Sequence, residues 1–311
     1  MTQEHRLRHA LIKPSPLRQG GTIGVVAPAG WVDMAILHHG VNHLENLGFR
    51  VILGKHLERK HLFFAGEDWE RAEDFKQMFL NKEVDAVFCA RGGVGAARII
   101  PFLDQKWLAG SRKIFIGSSD ITSLLLYMSE SLGDVAFHGP MVATQFGNNP
   151  STELDENVFK ILAGESLVMQ FDGVRCLQPG SAEGILTGGC LTLTCTSIGT
   201  PYEINTDGKI LFIEDVNEAP FRIDRMLSYL KTVHKFDKVR GVLFGQMPKC
   251  APEQLPDVIR DVLKDASFPI LFGFPSGHGD GTATLPFGTH VQLDAVGRRL
   301  TMLEAAVDLL Q

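Results

Sequence analysis

Short apolar runs alternate with helical stretches along the first 130 residues of this 311-residue chain. Each run is predicted to be a buried strand, because it is rich in apolar residues and is bounded by turn residues. The predicted strands are 22–27, 49–53, 85–89 and 113–116, and the predicted helices are about 34–47, 69–80, 99–103 and 121–128. This alternation favours a parallel sheet with helices on both faces, which is an α/β fold.

The alternation loosens further along the chain, where a second α/β unit with more antiparallel character is predicted. Residues 176–187 are expected to be irregular. The remaining predicted strands are 210–213, 241–244, 270–272, 291–294 and 300–304, and the remaining helices are about 153–162, 221–230 and 256–266. The boundary is placed near residue 170, which gives an N-terminal domain of residues 1–170 and a C-terminal domain of residues 171–311.

The composition is that of an ordinary globular protein and argues against several kinds of partner. Hydrophobic residues make up 44% and charged residues 21% of the chain, and the net charge of -6 argues against a nucleic-acid partner. The five cysteines are odd in number and include no C-x-x-C pair, so neither a disulfide framework nor a zinc site is predicted. No signal-peptide core and no apolar stretch of about 18 residues is found, so we expect a cytoplasmic protein without a membrane partner.

Three predicted strand ends carry residues that can perform acyl transfer. Ser119 follows the strand in Ile114-Phe-Ile-Gly-Ser-Ser-Asp120, Glu214 lies at the end of Ile210-Leu-Phe-Ile-Glu-Asp215, and His278 lies in Phe274-Pro-Ser-Gly-His-Gly279. Because loops at strand ends carry the binding sites of α/β proteins, we expect the three side chains to meet. A serine, a histidine and an acid form the set that nucleophilic acyl transfer uses.

Each of the three residues also has a structural interpretation. A serine before a helix is often only an N-cap, and the second glycine of the G-x-S-x-G elbow is missing here. Glu214 could instead pair with Arg222 or Arg225, because an unpaired buried carboxylate is costly. His278, with a glycine on both sides, could be an ordinary loop residue.

The segment Arg91-Gly-Gly-Val-Gly95 also joins a predicted strand to a helix. Its glycines expose backbone N–H groups that suit an oxyanion hole or an anion site, and Arg91 could bind a substrate carboxylate. Arg98 stands where the G-x-G-x-x-G dinucleotide fingerprint needs a glycine, and no phosphate loop occurs. His39 and His43 lack the acidic pattern of a metal site, and the role of His138 is open.

An ordered set of motifs over residues 22–303 resembles the LD-carboxypeptidases of serine peptidase family S66. The motifs are Val25-Val-Ala-Pro-Ala-Gly30, Ala90-Arg-Gly-Gly-Val-Gly95, Gly117-Ser-Ser-Asp-Ile-Thr122, Phe137-His-Gly-Pro140, Gly188-Gly-Cys-Leu191, Gly199-Thr-Pro-Tyr202, Leu211-Phe-Ile-Glu-Asp215, Ile223-Asp-Arg225, Gly277-His-Gly279 and Leu285-Pro-Phe-Gly288. Each motif alone is weak, but the ordered set is highly specific.

The resemblance implies a role for each candidate residue. Ser119 is the implied nucleophile, because the family's serine directly precedes the aspartate that Asp120 matches. His278 is the implied base and Glu214 the implied acid, while the backbone N–H groups of Gly93 and Asp120 would form the oxyanion hole. No metal or organic cofactor is expected. The implied substrate-binding residues are Arg91, Gly92, Ser118 and Arg225.

The resemblance also implies a fold and a reaction. Family members have a flavodoxin-like N-terminal domain and a β-rich α/β C-terminal domain, with the active site at their junction, and many are cytoplasmic homodimers. The implied reaction is hydrolysis of the amide between an L-configured centre and a terminal D-amino acid. In peptidoglycan recycling it releases the last D-Ala of the murein tetrapeptide by a Ser-His-Glu acyl-enzyme mechanism. The expected partners are therefore this small peptide and a second copy of the chain.

Three departures from the family pattern leave alternatives open. Val94 and Ser118 stand where many members have tyrosine, and Cys190 replaces an asparagine. One alternative is a peptidase of the microcin C self-immunity type acting on peptidyl-nucleotides, although 3 Trp and 3 Tyr offer few surfaces for a base. The other is a non-catalytic two-domain binding protein, against which the complete serine, histidine and acid set argues. Glu218 is a rival to Glu214 as the acid.

Overall fold

The computed structural model describes residues 11–108, 111–281 and 283–310, which form two β-sheets with helices packed around them. The N-terminal segment, on which the prediction of no signal peptide rests, lies outside the described residues. Within the described part of the chain, no helix combines the length and apolar composition that crossing a membrane requires.

The described residues contain strands and α-helices that we number in chain order. The strands are β1 (Thr22–Val26), β2 (Arg50–Leu53), β3 (Ala86–Cys89), β4 (Ile114–Gly117), β5 (Ala136–His138), β6 (Val168–Gln170), β7 (Arg175–Gln178), β8 (Ser181–Cys190), β9 (Lys209–Glu214), β10 (Gly241–Gln246), β11 (Ile270–Gly277), β12 (Leu285–Phe287), β13 (His290–Asp294) and β14 (Arg299–Met302). The α-helices are α1 (Met34–Asn46), α2 (Asp68–Leu80), α3 (Ala96–Ile99), α4 (Gln105–Leu108), α5 (Thr122–Leu126), α6 (Thr152–Ala163), α7 (Leu191–Thr196), α8 (Pro220–Thr232) and α9 (Leu255–Val262).

The first sheet has the strand order β12-β5-β4-β3-β1-β2. Strands β1 to β5 are parallel, as the alternation of strands and helices predicts, and the predicted α/β fold class is confirmed. Helix α1 begins after Asp33, whose carboxylate accepts hydrogen bonds from two N–H groups of the first turn. Helix α2 begins with a reciprocal capping box between Glu67 and Glu70.

One strand of this sheet comes from the C-terminal part of the chain. Strand β12 pairs antiparallel with β5, so that Leu285 lies opposite His138. The sequence does not predict β5, β6 or β12, because strands of three residues carry too little periodicity to be detected. The pairing of β12 with β5 fixes the chain that follows His278 against the N-terminal sheet. The domain boundary near residue 170 stays a prediction.

The second sheet has the order β6-β14-β13-β8-β9-β10-β11-β7. Strands β8 to β11 are parallel, and antiparallel strands flank them on both sides. The prediction that residues 176–187 are irregular is wrong, because this segment lies largely in β7 and β8. Pro179, Gly180 and Gly184 weaken the strand signal in the sequence, whereas in the fold β8 is stabilised by ladders to β9 and β13.

Strands β8 and β9 approach each other so closely that position 188 requires glycine. The φ of Gly188 is +134°, and a Cβ there would lie 1.9 Å from the carbonyl oxygen of Phe212. This pairing places Cys190 opposite Glu214 at the carboxyl ends of the two strands. Strands β4 and β11 end at Gly117 and Gly277, directly before the other two candidate segments.

Candidate active site

Ser119 lies two residues after the end of β4, in the helical turn Ser119–Ile121 that leads into α5. Its φ is +64°, in the left-handed region that costs a residue with a Cβ roughly 1–2 kcal/mol. The Asp120 carboxylate accepts a hydrogen bond of 2.7 Å from the N–H of Ala96, which fixes the turn against the start of α3. Strain of this kind persists only where the surroundings fix it, and it clusters at functional sites.

Ser119, His278 and Glu214 form a continuous line of hydrogen bonds. Oγ of Ser119 lies 2.8 Å from Nε2 of His278, and Nδ1 of His278 lies 2.5 Å from Oε2 of Glu214. An ionised carboxylate only accepts hydrogen bonds, so Nδ1 of His278 carries the proton and Nε2 can accept the proton of the serine hydroxyl. The fold thus brings together three residues that are separated by up to 159 positions in the chain.

The Glu214 carboxylate is completely buried at the end of β9 and faces two histidines. Oε1 lies 3.7 Å from Nε2 of His138, on the opposite side from His278. Burial alone would raise the pKa of Glu214, but the contacts with His138 and His278 outweigh burial and lower it from 4.5 to about 2. Glu214 is therefore ionised at neutral pH.

The pKa of His278 responds to the same contacts. Burial disfavours the imidazolium, but the hydrogen bond and the charge of Glu214, together with the charge of Asp215, outweigh burial and raise the pKa of His278 above 6.5. A histidine in this state accepts a proton readily, and the resulting imidazolium is stabilised by the carboxylate.

Two glycines make room for this line of hydrogen bonds. A Cβ at Gly277 would lie 2.7 Å from Oε2 of Glu214, and the φ of this residue is +113°. A Cβ at Gly92 would lie 2.7 Å from Cβ and 2.9 Å from Oγ of Ser119. Gly92 thus lies against Ser119, and the neighbouring N–H of Gly93 makes no hydrogen bond within the described residues.

The predicted cationic residues are placed differently. Nη1 of Arg91 donates a hydrogen bond of 3.1 Å to the carbonyl of Trp31, and Arg91 forms no ion pair within the described residues. Arg225 is exposed on α8, with its guanidinium 5.7 Å from the centre of the Phe221 ring. No hydrogen bond or ion pair among the described residues joins Arg225 to the line through Ser119, so the fold does not tie it to the site.

The contacts also bear on three alternatives: Glu218 as the acid, an arginine partner for Glu214, and a metal site at His43. Glu218 lies 3.3 Å from Arg222 in an ion pair, whereas Glu214 contacts histidines and, among the described residues, no arginine. His43 lies 2.9 Å from the Asp155 carboxylate. Among residues 11–108, 111–281 and 283–310, no group of three or more possible metal ligands is found.

The three positions that depart from the family pattern lie in different surroundings. Val94 is exposed in the glycine loop, whereas Ser118 and Cys190 are buried. The backbone N–H of Cys190 donates a hydrogen bond of 3.1 Å to Oγ1 of Thr122. Burial raises the pKa of the Cys190 thiol well above its usual value, so the thiol is neutral.

A cavity of about 200 Å³ adjoins His278 and is lined mainly by polar residues. Gln145, Asn148 and Asn149, which are not among the predicted site residues, line it together with His278. These residues lie in the segment 145–151, whose composition indicates only a turn. Its contact with His278 joins distant parts of the chain, so the local sequence does not predict it. A larger cavity of about 780 Å³ lies beside β2 and α2 and is lined by none of the candidate residues, so cavity size does not identify this site.

The fold and the line of hydrogen bonds together define an α/β serine hydrolase. Profiles of the LD-carboxypeptidase N-terminal and C-terminal domains match residues 23–139 and 183–293 of the chain. The chain is 38% identical over 304 residues, 95% of each sequence, to the "Probable murein peptide carboxypeptidase" of Bacillus subtilis (strain 168). It belongs to the LD-carboxypeptidase family, and it is a carboxypeptidase.

Two solved structures agree with this assignment. The muramoyltetrapeptide carboxypeptidase from Oxalobacter formigenes superposes with a TM-score of 0.79 at 28% identity, over 90% of this chain and 97% of that one. The microcin C7 self-immunity protein MccF in complex with aspartyl sulfamoyl adenosine superposes with a TM-score of 0.90 at 25% identity, over 96% and 100%. The fold is therefore common to relatives with different names.

Replacing Gly92 by alanine tests whether the glycine loop must lie against Ser119. The new Cβ would press on the serine side chain, so we expect kcat/KM for peptide hydrolysis to fall by about 10²-fold or more. Gly173→Ala is the control for adding a Cβ without a contact, because no atom of the described residues lies within 4 Å of the new Cβ; its φ of +83° adds a backbone strain that position 92 does not have. Wild-type activity in folded Gly92→Ala protein would contradict the close contact.

The buried charge of Glu214 predicts a dependence of stability on pH. The pKa of Glu214 is lowered on folding. Its contribution to the free energy of unfolding is therefore fully present above pH 4.5 and is lost as the pH falls towards 2. The difference corresponds to about 3 kcal/mol. Urea unfolding between pH 5 and pH 2 should show a steeper loss of the free energy of unfolding for wild type than for Glu214→Gln. If the free energy of unfolding had the same pH dependence in both proteins, folding would not lower the pKa of Glu214.

Proposed function

We propose that this enzyme releases the terminal D-Ala of the murein tetrapeptide by cleaving the amide after its L-configured centre. The observation that carries the proposal is the line of hydrogen bonds from Ser119 through His278 to Glu214. The name of the B. subtilis relative, a murein peptide carboxypeptidase, supports this choice of peptide.

Ser119 is the proposed nucleophile. Its Oγ attacks the scissile carbonyl while Nε2 of His278 takes the hydroxyl proton, and Glu214 stabilises the imidazolium that forms. The C–N bond then breaks, the amine of D-Ala receives the proton from His278, and the peptide remains as an ester on Ser119. A water molecule, deprotonated by His278, hydrolyses the ester and frees the serine.

The backbone N–H groups of Gly93 and Asp120 are the proposed oxyanion hole. Gly92 lies against the Ser119 side chain, and the N–H of Gly93 has no hydrogen-bond partner within the described residues. The N–H of Asp120 follows the serine at the start of a helical turn, where backbone donors point away from the helix. Donors fixed at this point stabilise the negative oxygen of the tetrahedral intermediate without reorganisation.

The carboxylate of the terminal D-Ala requires a cationic partner, and Arg91 is the proposed one. It lies in the same loop as Gly93 and forms no ion pair within the described part of the chain. Gly92 and Ser118, which flank Ser119, would line the same pocket. Arg225 is the weaker candidate, because no hydrogen bond, ion pair or ring contact within the described residues joins it to this loop.

A second candidate function is hydrolysis of peptidyl-nucleotides. The observations that favour it are the superposition on MccF in complex with aspartyl sulfamoyl adenosine and the exposed Trp31 ring, 6.0 Å from the guanidinium of Arg91. An exposed aromatic ring beside a cation can hold a base by stacking. The polar cavity next to His278 favours the muropeptide, whose peptide chain offers many hydrogen-bonding groups.

Release of D-Ala from purified murein tetrapeptide, followed by mass spectrometry, tests the proposal. We expect release by wild type and a loss of about 10³-fold or more in Ser119→Ala, because only the oxyanion hole and substrate binding then contribute to the rate. A peptidyl sulfamoyl adenosine is the parallel substrate for the second candidate. Turnover of that compound alone would favour the second candidate, and binding of tetrapeptide without turnover would favour a binding protein.

We also propose that the enzyme acts as a homodimer in the cytoplasm, in the recycling of peptidoglycan. All five cysteines are free thiols, which suits a reducing compartment. Leu62 and Phe63 are 73% and 58% exposed, and an exposed apolar surface of this kind suits a subunit contact. Light scattering should give twice the monomer mass for wild type and a shift to monomer for Leu62→Ser/Phe63→Ser. A monomeric wild type would contradict the dimer.

A further inference from the structure

Two buried polar atoms at the site face each other, and neither has a hydrogen-bond partner among the described residues. They are Oε1 of Glu214 and Nε2 of His138, which lie 3.7 Å apart. Both residues are at most 1% exposed, so water does not supply the missing partners from bulk solvent. Buried polar groups are almost always hydrogen-bonded. Two unpartnered atoms this close together therefore indicate that they form a hydrogen bond with each other when the side chains move slightly closer. A movement of less than about 1 Å would bring them within hydrogen-bond distance.

His138 is held rigidly enough to act on the carboxylate. It ends β5, where it pairs with Gly117 of β4 on one side and with Leu285 of β12 on the other. Its ring packs edge-on against Phe212, with 5.0 Å between ring centres, and lies 5.8 Å from the ring centre of Phe287. The ring therefore has little freedom to turn away from Glu214.

The hydrogen bond of Nδ1 determines which ring nitrogen of His138 carries the proton. Nδ1 of His138 lies 3.4 Å from Oγ of Ser276, which is buried next to Gly277. If the serine hydroxyl donates to Nδ1, the neutral ring carries its proton on Nε2, directed at the carboxylate of Glu214. An ionised carboxylate favours this tautomer, because it can only accept a hydrogen bond.

We propose that His138 is a positioning residue that donates from Nε2 to Oε1 of Glu214 and thereby fixes the carboxylate against His278. The inference rests on the proposed function of Ser119, Glu214 and His278. It assigns the carboxylate two histidines with different tasks. His278 exchanges protons with the serine and the leaving group, while His138 keeps its proton and shares the negative charge.

Other ionisable groups face this cluster from the neighbouring strands. Asp215 follows Glu214, and its carboxylate accepts hydrogen bonds from the N–H groups of Thr192 and Val216. The thiol of Cys190, at the end of β8, also faces the carboxylate, and burial keeps it neutral. Neither group donates to Oε1 of Glu214, so His138 is the one donor that the described residues offer to this oxygen.

Removing the donor should change the titration of His278. Without His138 the negative charge of Glu214 is held by His278 alone, so protonated His278 is favoured and its pKa rises by about one unit. The acidic limb of the kcat/KM profile for tetrapeptide hydrolysis moves to higher pH by the same amount. Activity at the wild-type midpoint then falls about fivefold, and the loss approaches about tenfold at lower pH.

The experiment compares His138→Phe, which keeps the ring packing, with His138→Gln, whose amide keeps a donor near the position of Nε2. We expect the upward shift of the limb in His138→Phe and recovery towards the wild-type limb in His138→Gln. Ser276→Ala, which removes the partner of Nδ1, should give a smaller shift in the same direction. An unchanged or lowered limb in folded His138→Phe and Ser276→Ala proteins would overturn the inference.

A second readout does not depend on the substrate. The pKa of His278 can be measured by NMR of its ring protons in the Ser119→Ala protein, with and without His138→Phe. A rise of about one unit supports the positioning role, even if the enzyme acts on another peptide. An equal pKa in both proteins overturns it, whereas a wild type that leaves the tetrapeptide intact counts only against the proposed substrate.

Discussion

The carboxylate of Glu214 lies completely inside the protein and is ionised at neutral pH. Moving a charge out of water costs several kcal/mol even after the protein relaxes, so its oxygens need polar neighbours. His278 bonds Oε2 and His138 faces Oε1. Since these histidines follow β11 and end β5, one charged side chain on β9 constrains how the two sheets meet.

Close approach is the second constraint, and it explains why glycine stands at particular positions. Gly277 lets the chain that carries His278 pass directly over the Glu214 carboxylate, and Gly92 lets the neighbouring loop lie against Ser119. Gly188 allows β8 to approach β9, which carries the carboxylate. A Cβ at any of these positions would displace a strand or a side chain of the site by more than a hydrogen bond tolerates.

The sequence predicts local features well and non-local ones poorly. The parallel strands that precede Ser119 and Glu214 are found from apolar runs and turn residues, because both signals lie within a few positions. Strand β8 is obscured by Pro179 and its neighbouring glycines, since only its ladders to β9 and β13 explain why it is extended. The pairing of β12 with β5 and the contact of His138 with Glu214 join distant parts of the chain, so no local pattern announces them.

Val94, Ser118 and Cys190 depart from the family pattern only in their side chains. The geometry of the site depends at these positions on backbone atoms, which any residue supplies. The N–H of Cys190 bonds Thr122, and the carbonyl of Ser118 accepts from the N–H of Ile121, so the fold uses the backbone at both positions. Val94 is 45% exposed, in a loop in which Gly92 makes the close contact with Ser119. The side chains at these positions can therefore differ while the serine, the histidine and the glutamate keep their positions. Buried charge and close backbone approach therefore fix the line of hydrogen bonds from Ser119 to Glu214, and neither constraint restricts the side chains at these three positions.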